Sequence, residues 1–110
     1  MAYDEELADR VRAVVEAEPG YAEKKMFGGL AFLVGGNMAV AASGQGGLLL
    51  RVDPARTESL VEPPLVDRFE MRGRKMDGWL RVAPEIVDTE ADLRRWVAHG
   101  VDYARSLPPK

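Results

Sequence analysis

Two groups of residues in this chain are of types that bind rather than react. Lys24-Lys25 stand just ahead of Gly28-Gly29. Backbone N–H groups in a Gly turn can face a phosphate, and two ammonium groups beside it would hold a small anion. No G-x-x-x-x-G-K-[ST] is present, no G-x-G-x-x-G opens a helix, and an apolar strand-like stretch follows, so plain turn geometry is the competing account. The second group is Arg68, Arg72, Arg74, Lys75 and Arg81, with Trp79 among them. A ring that stacks and bases that neutralise phosphate compose a platform for single-stranded nucleic acid. Trp and Arg also anchor protein interfaces. Asp67, Glu70 and Asp77 lie in the same stretch, and cross-strand pairing with them would make it an ordinary solvated sheet face.

Reactive constellations are missing from the sequence. His99 has Asp102 three residues on, which makes the two neighbours on a helix surface and not members of a triad. Ser43 and Ser106 have no evident base, and no pair of carboxylates reads as an acid/base dyad. With no Cys and a single His, disulfides and Cys- or His-rich metal sites are excluded. Met26, Met38, Met71 and Met76 could offer soft thioether ligands, but alternation places them on inward faces or in turns, where they pack. No catalytic residue, metal or cofactor is therefore expected.

The elements that position these groups follow from periodicity. Met1–Glu18 reads as an amphipathic helix: Leu7, Val11, Val14 and Val15 recur on one face, Asp4 caps it, and Pro19-Gly20 ends it. The stretch Lys24–Ala42 is apolar and interrupted by two Gly pairs, and the chain is organised around it. It predicts strands over Tyr21–Phe27, Leu30–Val34 and Met38–Ala42, with Gly35-Gly36-Asn37 turning between the last two. Ala39, Ala41 and Ala42 would admit the close approach of a helix or another chain. Leu48–Val52 predicts a central strand covered on both faces. Asp53-Pro54 starts a short helix that Pro63-Pro64 stops. Val66–Arg72 is a fifth strand, Gly73–Gly78 a charged loop, and Trp79–Val82 a short sixth strand. Thr89 caps a final helix whose apolar stripe is Leu93, Trp96, Val97, Gly100, Val101 and Ala104. The order predicts an α+β fold: an antiparallel sheet of about five or six strands, with helices mainly on one face.

Length and charge bound the rest. A chain of 110 residues predicts one domain. The acidic start argues against a signal peptide, and no apolar run is long enough to span a membrane. A cytoplasmic setting without membrane contact is expected, and the absence of Cys agrees with it. Net charge is −3, against indiscriminate nucleic-acid binding. Residues 24–52, however, carry Lys24, Lys25 and Arg51 and no acid, so the sheet segments are basic and the helices acidic.

Lys25-Met26-Phe27-Gly28-Gly29, followed by an apolar strand, a Gly turn and Met38-Ala39, resembles the opening signature of the TfoX N-terminal domain family. So does Met71-Arg72-Gly73-Arg74-Lys75-Met76-Asp77-Gly78-Trp79, as does the closing helix with Leu93, Trp96 and Tyr103. The resemblance covers nearly the whole chain. It implies an antiparallel sheet with helices packed against it, and no catalytic residues. The family is known for regulators of natural competence, which act on transcription of DNA-uptake genes and carry a second, C-terminal domain. A stand-alone, single-domain member over residues 1–110 is expected here. The leading expectation is a non-enzymatic regulator or adaptor working through an unknown protein partner. Met38–Ala42 could also pair or pack across a two-fold axis to make a homodimer. A nucleic-acid module on the basic strand face is the first alternative. A small anionic-ligand protein or weak enzyme using Lys24, Lys25 and the Gly turn is the second.

Overall fold

The computed structural model describes residues 3–26 and 28–109, with the side chain of Met71 set aside. The expected placements of Met1, Phe27, Lys110 and the Met71 side chain lie outside it. The elements run α1 (Glu5–Val15), β1 (Tyr21–Met26), β2 (Gly29–Val34), β3 (Asn37–Ala42), β4 (Leu48–Arg51), α2 (Thr57–Leu60), β5 (Val66–Met71), β6 (Arg74–Val82) and α3 (Glu90–Ser106). Short 3-10 turns at Pro54–Arg56 and Pro84–Val87 precede α2 and α3. The strands form one six-stranded antiparallel sheet in the order β1-β2-β3-β4-β6-β5. The expected α+β fold is the one observed.

The start signals act as their chemistry requires. The Asp4 carboxylate accepts from the N–H groups of Glu6 and Leu7, so α1 begins at Glu5 rather than Met1. Asp53 accepts from Ala55 N–H ahead of Pro54, and Thr89 accepts from Asp92 N–H ahead of α3. Between β2 and β3 the turn is the pair Gly35-Gly36, with φ of 61° and 83°, the conformation a two-residue hairpin needs.

Two rows of side chains cross the sheet on the helix-covered side. One runs Lys25, Leu30, Ala42, Leu48, Val82, Val66; the other runs Glu23, Phe32, Val40, Leu50, Leu80, Arg68. Charge stands only at the sheet edges and apolar residues fill the interior. The core closes when Leu7, Val11 and Val15 of α1 and the predicted stripe of α3 settle on these rows. Phe32, Leu48, Leu50, Leu80 and Leu93 are fully buried, each contributing about 1.5–3 kcal/mol of transfer free energy. At Ala39 the β2–β3 register slips by one residue. The displaced Ala39 carbonyl lies against Gly100 of α3, where any side chain would collide with it. The expected close approach to the small residues of β3 is made by this helix.

Two sequence expectations are corrected. The charged loop over Gly73–Gly78 is not a loop: the turn is Arg72-Gly73, with φ of 54° and 77°, and β6 already begins at Arg74. Most side chains of this outer hairpin reach water, so nothing forces the apolar alternation that reveals a strand. The second concerns β3, which has β2 on one side and β4 on the other. Its hydrogen-bonding edges are used, so it cannot pair with a strand of another chain, and only packing through its face is left.

Candidate functional site: the open face of the sheet

The face of the sheet away from the helices is built from the alternate residues. One row crosses all six strands: Lys24, Ala31, Ala41, Leu49, Arg81, Asp67. Beside it lie Leu33 with Met38, and Arg51 with Trp79. Ala31, Met38, Ala41 and Leu49 form a compact apolar floor, against which half-buried Met26, Leu33, Phe69 and Trp79 pack. No helical residue belongs to this cluster. The face is thus low and small-chained at its centre and rises toward larger side chains around it. Met26 and Met38 pack as expected, but on the face away from the helices rather than the inward one.

Arg51 is the residue that sequence reasoning passed over. Its guanidinium carbon lies 5.3 Å from the centroid of the Trp79 ring and 5.4 Å from that of Tyr103. Among the described residues it forms no ion pair. A half-buried guanidinium that rests on ring faces keeps its N–H edges for another acceptor. Two things in the sequence pointed to it: Arg51 is the one charge in Leu48–Val52, and alternation puts it on the Leu49 face.

The basic group around Trp79 does not come together as one platform. Arg81 lies in the open-face row, and one of its nitrogens donates to the carbonyl of Gln45 at 3.1 Å. Arg68 stands opposite Leu80, on the helix-covered side, and its Nε pairs with Asp77 at 2.6 Å. Lys75 pairs with Asp67 at 3.1 Å. The backbone N–H of Arg68, then Lys75, hold the Asp67 carboxyl below the usual carboxylate range. Exposed Arg72 and Arg74 occupy the hairpin tip without an ion pair among the described residues. Register separates Arg68 from Arg81, since Arg81 stands opposite Asp67 and Arg68 opposite Leu80. Beyond that pair the β5–β6 pairing jumps from Leu80 to Met76 and leaves Asp77-Gly78-Trp79 as a bulge. Thr57 fixes that bulge: its buried hydroxyl accepts from Gly78 N–H at 2.7 Å and donates to the Pro54 carbonyl at 2.9 Å.

Lys24 and Lys25 are exposed and lie on opposite faces of β1, as alternation requires, so they do not converge on one anion. Gly28 has φ of 74° with open space around it, whereas a side chain at Gly29 would collide with the Ala42 carbonyl. Gly29 is therefore required by the close approach of β2 to β3.

Two hollows remain. A groove of about 660 Å³ runs along the β5 edge past Leu65, Phe69, Arg81 and Pro84. A smaller one of about 180 Å³ lies between α2 and α3, lined by Arg56, His99, Asp102, Tyr103 and Ser106. Burial, then nearby Arg56, lowers the His99 pKa. Ser106 donates its hydroxyl to the Tyr103 carbonyl, and no hydrogen bond joins it to His99 among the described residues. These groups line a hollow without forming a nucleophile–base pair. Among the described residues no cluster of His, Cys, Asp or Glu could hold a metal ion, and no helix is long and apolar enough to cross a membrane.

An α+β sheet with its helices on one face and a second, small apolar cluster on the other is the class these observations define. The family model of the TfoX N-terminal domain matches residues 13–104, and the chain belongs to that family. No curated protein and no solved structure matches it.

Proposed function

We propose that this chain is a non-enzymatic regulator or adaptor that works through protein–protein contacts made on the open face of its sheet. The observation that carries this reading is the apolar floor Ala31–Met38–Ala41–Leu49 framed by Met26, Leu33, Phe69 and Trp79, with no helix across it. The floor is buried beneath its frame, so the contact surface is the half-buried ring of Met26, Leu33, Phe69 and Trp79. Within it, Trp79 beside Arg51, which is without an ion pair among the described residues, has the composition of an energetic anchor. Transcriptional regulation of the competence type is the setting that family membership suggests. The placement of Arg68 and Arg81 on opposite faces, and the pairing of Arg68 with Asp77 and of Lys75 with Asp67, weigh against a phosphate-tracking platform.

The test is affinity capture from native lysate, with and without nuclease, using the wild-type chain and Trp79→Ala. A defined protein retained after nuclease and lost with Trp79→Ala supports the reading. Recovery of nucleic acid alone, abolished by nuclease and by raised salt, would replace it with nucleic-acid binding. Capture of neither, with a rise in melting temperature on adding phosphorylated metabolites, would replace it with small-anion binding.

A further inference from the structure

We propose that the open face docks on the same face of a second copy of this chain, about a two-fold axis running along the strands between β3 and β4. This rests on the reading of that face as a protein-docking surface, and it names the partner.

The argument lies in the order of residues along the face. From β1 to β5 the central row reads Lys24, Ala31, Ala41, Leu49, Arg81, Asp67. One half is small and carries a cation at its end; the other is large and carries an anion at its end. A two-fold axis along the strands turns the row end for end over itself. Lys24 then faces the second copy's Asp67, Ala31 faces its Arg81, and Ala41 faces its Leu49. In the neighbouring row Leu33 faces the second copy's Trp79, and Met38 faces its Arg51. Along the central row small meets large at Ala31 and Ala41, and Lys24 meets an opposite charge at the row's ends, which is the self-complementarity an isologous interface requires. A two-fold axis across the strands would instead set Lys24 on Lys24 and Leu49 on Leu49.

Stacked sheets align to within about 30° at about 10 Å separation, so this correspondence holds best near the axis, where Ala41 and Leu49 lie. The molecule measures 32 × 30 × 28 Å, and a full face of such a body suits a standard interface of about 800 Å² per partner. The outer strand β1 is an unsuitable alternative: Glu23, Lys24 and Lys25 are exposed along it, and charge on an edge strand discourages pairing.

The experiment is sedimentation equilibrium of the full chain from micromolar to millimolar concentration, with charge exchange along the row. Wild type is expected to dimerise. Lys24→Glu and Asp67→Lys should each raise the dimer dissociation constant about tenfold, and the double variant K24E/D67K should recover most of that loss. Leu33→Glu, confirmed folded by circular dichroism, should weaken the dimer about a hundredfold or more. If Leu33→Glu does not fold, the rim exchange alone decides, since Lys24 is exposed. A chain monomeric at every concentration overturns this inference; if Trp79→Ala then still abolishes capture of another protein, the docking reading stands without it. A dimer indifferent to Leu33→Glu and Trp79→Ala would place the contact off this face and overturn both.

Discussion

The guanidinium of Arg51 lies over the ring of Trp79, 5.3 Å from its centroid, and the two residues stand directly opposite each other on β4 and β6. Tyr103 of α3 provides a second ring to the same cation at 5.4 Å. An arginine held this way has lost part of its rotamer freedom before anything binds, so less remains to be lost on contact. The geometry ties the hydrogen-bonded pairing of two central strands to the surface proposed for docking.

A double-mutant cycle on Arg51→Met and Trp79→Leu should return a coupling of about 0.5–1 kcal/mol in urea unfolding. Arg51→Met should also weaken partner retention while leaving the fold intact. A coupling indistinguishable from zero would mean that the ring and cation are merely near each other.

Gly100→Ala should destabilise the chain by about 1–3 kcal/mol, because the new methyl must push α3 off the Ala39 carbonyl. Gly28→Ala meets no neighbour and should cost only the positive-φ strain, about 1–2 kcal/mol. Urea midpoints separate the two mechanisms when combined with Ala39→Gly, which leaves the carbonyl but loosens the strand around it. That change should relieve part of the Gly100→Ala loss and none of the Gly28→Ala loss.

Thr57→Val keeps the shape of a side chain that is 1% exposed and removes its hydroxyl. Gly78 N–H then loses its acceptor inside the β6 bulge. A loss of about 1–3 kcal/mol is expected. Thr57→Ser, which keeps the oxygen, should lose less, and equal losses would show that only the methyl matters.

His99 is the chain's single histidine, so its titration can be followed by NMR without ambiguity. Its folded pKa should fall below the ordinary 6.5, through burial first and Arg56 second. Below that value the unfolded chain takes up the proton more readily than the folded one. The His99 contribution to stability is therefore fully present above pH 6.5 and is lost as pH falls through the folded pKa. His99→Gln should flatten stability across that interval. A measured pKa above 6.5 would contradict the placement of the ring.

Much of this architecture is legible in the residues themselves. The stripe Leu93, Trp96, Val97, Gly100, Val101, Ala104 is buried residue for residue, because a 3.6-residue period leaves a helix little choice of face. Asp4, Asp53 and Thr89 cap as their side-chain oxygens allow. The first half of β6 was hidden, since Arg74-Lys75-Met76-Asp77-Gly78 sits in an outer hairpin wet on most sides and needs no alternation. The meeting of Arg51, Trp79 and Tyr103 was hidden for another reason. It depends on strand order and on a bulge fixed by Thr57, which are non-local consequences of folding. The placement of Arg68 and Arg81 on opposite faces is non-local too, since it depends on the register of β5 on β6.

The most direct test of the open face as a docking surface is the methyl NMR spectrum of the methionines. Met26 and Met38 belong to that face, and the chain has five methionines to assign. Spectra would be recorded as the chain is concentrated and as a captured partner is added. Shifts at Met26 and Met38, with the core methyls of Val15 and Val101 unmoved, are the predicted result. Shifts confined to signals from the Arg72–Arg74 tip or the Lys24–Gly29 hairpin backbone, with both methionines silent, would contradict the account.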